Sequence, residues 1–235
     1  MTALWGTTVN AAAIILGCLA GLLLPRMPEK MRGVIMQGLG LAILFLGISM
    51  GIKTGNFIIV VVSLVAGGVL GSLLKLDDLL QGVGDRLGSM VKRGPGNVAE
   101  GFVTATLIFC VGAMAVLGAV DSGLRGDHTM LYIKSLLDGI TAMVLATTLG
   151  FGVAFSGAAV FIYQGAVALS AGWITSFLGE EALEAVITEV SAVGGVLIAG
   201  IGINVLGISK INVVNLLPAI FVAAGLVLAR GYWVP

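Results

Sequence analysis

Apolar residues gather along this chain into eight long runs, at roughly residues 7–24, 34–52, 56–74, 101–120, 131–149, 152–174, 186–206 and 211–229. Most are long enough, at 1.5 Å per helical residue, to cross a hydrocarbon core of about 30 Å. The pattern predicts an all-α polytopic membrane protein with seven or eight transmembrane helices. Only Gly150-Phe151-Gly152 divides the fifth and sixth runs, and a re-entrant segment would lower the count to seven.

One connection has a different texture. Between residues 76 and 98, Leu76, Leu79, Leu80, Val83, Leu87, Met90 and Val91 recur at helical spacing, with Asp77, Asp78, Asp85, Arg86 and Lys92 between them. That pattern is an amphipathic helix lying on the membrane surface, ended by Gly94-Pro95-Gly96. It is read as an interfacial tether or, alternatively, as a helix that binds a soluble partner.

Aligning Gly47–Leu74 with Gly200–Val227 pairs Gly47 with Gly200, Ile58 with Ile211, Leu64 with Leu217 and Leu73 with Leu226, among others. A repeat on this register makes spans 1–3 equivalent to spans 6–8. Five spans separate equivalent helices, so the two triplets have opposite orientations, as in many secondary transporters. The expected organisation is a single membrane domain over 1–235. Its repeat halves are 5–75 and 150–230, with the amphipathic connector at 76–98 and linking spans over 101–149.

Composition removes other classes. The chain is 58% hydrophobic and 10% charged, with a mean hydropathy of +1.13, whereas soluble domains carry about 25% charged residues. Formal net charge is zero, which gives nucleic acid nothing to bind. The lipid bilayer is the expected partner. Cys18 and Cys110 lie in apolar runs without a CxxC or Cys/His cluster, so neither a disulfide nor a metal site is expected. His128, beside Asp127, reads first as a solvated loop residue and second as a ligand or proton relay. The glycine pairs Gly17/Gly21, Gly47/Gly51 and Gly67/Gly71 have the spacing that lets helix backbones approach. Packing within the chain is their first reading, and a homodimer through these faces is the second.

With the N-terminus outside, Arg26, Lys30, Arg32, Lys75, Arg86, Lys92, Arg93 and Lys210 fall on the inner side. Lys53, Arg125, Arg230 and the acidic residues Glu180, Glu181 and Glu184 fall on the outer side. The asymmetry follows the positive-inside rule. The first run has no basic segment before it and reads as a retained helix rather than a cleaved signal.

Few polar residues interrupt the apolar runs. Lys134 and Asp138 stand four apart on one helical face, continued by Thr141 and Thr148. Lys134 can snorkel outward, but Asp138 is too short to do so. An intramembrane aspartate costs about 2.5–3.5 kcal/mol on insertion scales and usually faces a bundle interior or an aqueous cavity. Two readings stand side by side: a solute pathway and a structural ion pair. The next run adds Ser156, Tyr163 and Gln164, and others contribute Asn10 and Asn204. Asn10, near a span end, also reads as a cap, and Glu189 reads either as an interface charge or as the deepest residue of an acidic funnel. No nucleophile, base and orienter combine, so catalysis is not expected. No cofactor is expected either, apart from a coupling ion such as sodium or a proton.

The segments LIFCVGAMAVLGAV (107–120), KSLLDGITAM (134–143), GFGVAFSG (150–157) and YQGAVAL (163–169), with the opening WGTTVNAAAIILGCLAGLLLP, resemble the bacterial membrane-protein family DUF554. The resemblance covers nearly the whole chain. It implies a multi-pass bacterial inner-membrane protein suspected of transport, and it supplies neither a substrate nor an established functional residue. The expectation is therefore a secondary transporter or permease for a small polar or ionic solute. A channel and a membrane scaffold acting through 76–98 are the alternatives.

Overall fold

A computed structural model describes residues 2–23, 29–79, 82, 98–111 and 113–233 of the chain. The amphipathic connector read at 76–98 therefore lies mostly outside the described residues; its first turn, residues 76–79, is helical. Every regular element described is helical. After a 3-10 turn at Thr2–Leu4 come α1 (Trp5–Leu23), α2 (Glu29–Gly51), α3 (Phe57–Leu73), α4 (Val98–Cys110), α5 (Ala113–Arg125) and α6 (Thr129–Leu149). The helical run Gly152–Val205 is broken at Gly179, whose φ of +72° leaves the helical region. Its halves are α7 (Gly152–Gly179) and α8 (Glu181–Val205). A short α9 (Val213–Leu216) and α10 (Ala219–Trp233) complete the chain.

Among the described residues, α1, α6, α7 and α8 are long and apolar enough to cross a membrane, and α4 with α5 becomes a fifth candidate if the bent pair counts as one span. The expected run at 101–120 is thus two helices meeting at 61°. The apolar stretches Met36–Gly51, Phe57–Leu73 and Val213–Ala229 are shorter. Many large side chains point away from the protein, among them Leu16, Phe45, Ile58, Leu136, Ile162 and Phe221. Apolar surface on this scale suits hydrocarbon and would be a liability in water.

The chain divides into two compact units, residues 1–28 with 81–176 and residues 29–80 with 177–235. In the first, α1 and α6 run parallel: Gly6 abuts Leu131, Gly17 abuts Gly139 and Gly21 abuts Met143. A Cβ on Gly17 or Gly21 would land on a backbone carbonyl of α6, so the GxxxG pair is used for close helix packing. Against α7, α1 runs antiparallel, with Leu4 beside Gly165 and Ile15 beside Gly157. Gly150, at φ +74°, ends α6 and turns the chain into α7. The α4–α5 pair extends along these helices, from Gly101 beside Leu149 to Gly118 beside Leu131 and Gly123 beside Ala168.

In the second unit α2 lies antiparallel on α8. Gly40 meets Leu206, Leu44 meets Gly202, Gly47 meets Ala199 and Gly51 meets Val196. Likewise α3 crosses α9 and α10 antiparallel, with Gly67 on Ala219 and Gly71 on Asn215. Its core joins Ile59 and Val60 to Ala192, Val193, Ala219 and Ala223. All three GxxxG faces are thus occupied inside the chain, which removes them as support for a homodimer.

Candidate functional site

The α1–α6 seam brings Asn10 to Asp138. Asp138 accepts hydrogen bonds from Lys134 Nζ at 2.9 Å and from Asn10 Nδ2 at 3.1 Å, and Lys134 Nζ also lies 2.8 Å from the second carboxylate oxygen. Asn10 Nδ2 also donates to Gln164 Oε1 of α7 at 3.2 Å. Four polar side chains from three helices therefore form one connected network. It is nearly closed to the surroundings: Lys134 is 7% exposed, Asp138 6%, and Asn10 and Gln164 0%.

The network sets its own amide orientations. An ionised carboxylate only accepts hydrogen bonds, so Asn10 must turn its Nδ2 to Asp138, and Gln164 must then offer its oxygen to that same group. This leaves Asn10 Oδ1 and Gln164 Nε2 buried without a partner among the described residues. A buried polar atom in this state costs about 1–3 kcal/mol. Thr7, on the same face of α1 and 0% exposed, also has an unpartnered hydroxyl. The i, i+3 relation of Thr7 to Asn10 was the sequence signal for it, and it was missed.

The other predicted residues sit differently. Thr141 donates to Leu137 O, Thr148 to Leu145 O and Ser156 to Val153 O, each in its own helix. Their hydroxyls are thus turned to their own backbone rather than strung out beyond Asp138. Tyr163, next to Gln164 in sequence, is half-buried. Asn204 belongs to the second unit, where it braces the turn after α8 by bonding the backbone O and N of Ile211 at 2.8 and 2.7 Å.

Two further polar groups stitch loops. Glu189 of α8 is 5% exposed and accepts from Thr54 Oγ1 and from the backbone N–H groups of Gly55 and Asn56. Instead of an interface charge it is a buried clasp on the α2–α3 turn. Asn56 in turn caps α3 through Ile58 N. Ser122 Oγ donates to Ala3 O, so the proton in its 2.9 Å contact with His128 must come from the imidazole Nδ1. His128 therefore ties the start of α6 to Ser122 of α5, which in turn holds the N-terminal turn. Asp127 is held below the usual carboxylate range, chiefly by its hydrogen bond from Thr129 N at the start of α6.

An all-helical chain with lipid-facing apolar surfaces and a buried polar network defines a membrane protein. The particular family follows from comparison: the chain belongs to DUF554, described as a protein of unknown function, whose pattern matches residues 5–228. It is 35% identical over 225 residues to "Uncharacterized membrane protein YdfK" of Bacillus subtilis (strain 168), covering 93% of each chain. It is 30% identical over 237 residues to "Uncharacterized protein YqgA" of Escherichia coli (strain K12), covering 97% of this chain and 98% of that one. No solved structure matches it.

Proposed function

We propose that this chain is a secondary transporter or permease for a small polar or ionic solute in the bacterial inner membrane. The observation that carries the reading is the Lys134–Asp138–Asn10–Gln164 network, with a buried donor and a buried acceptor left over. Intramembrane charges usually mark substrate or ion pathways. Unmet valence beside such a pair is what a bound solute or coupling ion would satisfy. A closed, mutually paired arrangement fits an occluded carrier better than an open channel. Ser122 already donates its proton to Ala3 O, so its contact with His128 does not make it an activated nucleophile.

Helix directions within each unit support eight spans, and the asymmetry of the basic residues supports an N-terminus outside. Alternating crossings require α1 parallel to α6 and antiparallel to α7, α2 antiparallel to α8, and α3 antiparallel to α10, and the contacts within each unit run that way. Counting α4 and α5 as one broken span agrees with their reach from Leu149 to Leu131. The inverted repeat gains the same support. Counterpart helices α1 and α7 share one unit and pack antiparallel, as do α2–α3 and α8–α10 in the other.

The test is a thermal-shift screen of the purified protein against ions, amino acids and carboxylates, because a site-binding ligand raises apparent stability by mass action. The double variant Lys134→Met/Asp138→Leu should fold and lose the response to any hit. An unchanged response would make the pair purely structural and sink the proposal. For topology, a membrane-impermeant maleimide should label Lys53→Cys and not Lys75→Cys in intact cells; the reverse pattern would invert the orientation.

A further inference from the structure

The second unit contains a cavity of about 890 Å³, formed at the end where α3 and α8 begin and α10 finishes. Ile59, Phe177 and Val227 contribute apolar walls, and the charged groups that line it are Glu181, Glu184 and Glu189. No Lys or Arg side chain lines it among the described residues. The volume lies within the range of small-molecule sites, about 300–1,000 Å³.

The three carboxylates are not equivalent. Glu189 already accepts three hydrogen bonds, from Thr54, Gly55 and Asn56. Glu181 and Glu184 are exposed, one turn apart on α8, and make no ion pair among the described residues. The cavity therefore presents negative charge at its polar edge and hydrocarbon walls, with the exposed ring of Phe177 at its rim. Among the described residues no three acidic, His or Cys side chains converge closely enough to hold a metal ion. That argues against a compact inorganic cation, which demands convergent oxygens. A large cation with dispersed charge has no such requirement: it gains from apolar burial, from the carboxylates, and from the face of Phe177.

We infer that this cavity binds an amphipathic organic cation, an ammonium or phosphonium group carried on an apolar body. Its charge lies toward Glu181 and Glu184, and its apolar part packs on Ile59, Phe177 and Val227. An uncharged acyl chain would use the walls alone, and an organic anion would be repelled. The site is independent of the Lys134–Asp138 pair and does not require the transport reading.

Tetraphenylphosphonium and tetraphenylborate have the same four-phenyl shape and opposite charge, so they separate these cases. Equilibrium dialysis of the full chain in detergent should show saturable binding of the phosphonium and none of the borate. Glu181→Gln/Glu184→Gln should weaken phosphonium binding about tenfold or more. Ala185→Trp, which fills the cavity from α8, should abolish it, and Lys134→Met/Asp138→Leu should leave it intact. Equal binding of the borate would show an apolar lipid or detergent site and overturn the inference. So would unchanged binding in the double glutamine variant, which would leave the glutamates as favourable charges at a helix N-terminus only. Unchanged binding in Ala185→Trp would place the ligand elsewhere and overturn it equally.

Discussion

Replacing Lys134 by Met tests the physics of the buried pair most directly. The Lys134 and Asp138 side chains are each only 9% exposed and lie 2.8 Å apart. Removing the ammonium leaves a carboxylate whose remaining partner is Asn10 Nδ2. Breaking one side of a buried ion pair costs about 3–5 kcal/mol, because the surviving charge stays desolvated. Asp138→Leu should cost a similar amount by stranding the ammonium. Lys134→Met/Asp138→Leu removes both charges. It deprives Asn10 of one bond while leaving its bond to Gln164, so the residual cost is about 1 kcal/mol. The single costs should therefore fail to add, and the double variant should be more stable than either single variant. Unfolding free energies in mixed micelles, measured for all four proteins, supply the cycle. If each single variant costs under about 1 kcal/mol and the double equals their sum, the pair is solvated and the argument for a closed, charged site is wrong.

Gly17→Ala should destabilise the protein by about 1–3 kcal/mol, since its new methyl would meet the Gly139 carbonyl. Gly38→Ala, with open space around it, is the control; equal effects would refute the seam. Glu189→Ala strips three donors of their acceptor and should cost about 1–3 kcal/mol, seen as faster proteolysis between residues 52 and 56; an unchanged cleavage rate would count against the clasp. Because the Thr129 amide lowers the Asp127 pKa, the stabilising contact is present above the ordinary carboxylate range and is lost as pH falls through the lowered value. The Thr129 amide resonance should shift over that interval on acidification, and a flat profile would refute the contact.

Local punctuation was readable in the chain, and long-range joinery was not. Gly150-Phe151-Gly152 marked the α6–α7 turn because a glycine at positive φ acts on its own neighbours. The break between α4 and α5 falls inside an unbroken apolar run, and hydropathy responds to solvent preference rather than to helix direction. The same confusion placed the sixth and seventh spans at 152–174 and 186–206, whereas the helices run to Gly179 and restart at Glu181. Glutamates end a hydrophobic window without ending a helix. Asp138, Asn10 and Gln164 each stood out singly as polar residues in oil. That they are one network depends on contacts across 128 and 154 positions, which no local pattern encodes. The face shared by Thr141 and Thr148 was legible, but not the turn of each hydroxyl to a carbonyl three or four residues back, the usual resort of Thr in an apolar helix.

The α2–α8 crossing carries one more consequence. Small residues fall at steps of seven and four on one helix, Gly40, Gly47 and Gly51, and at steps of four and three on the other, Gly195, Ala199 and Gly202. Such a surface is a track of shallow notches: Gly47 and Gly202 face backbone, and Gly40 and Gly195 receive Leu206 and Met50. A track of this kind repeats after seven residues and by itself fixes the spacing of the two helices better than their register. Register needs a peg, and Glu189 of α8, set into the turn that follows α2, is placed to be one. Sliding the helices past one another would have to withdraw that carboxylate from its three donors first.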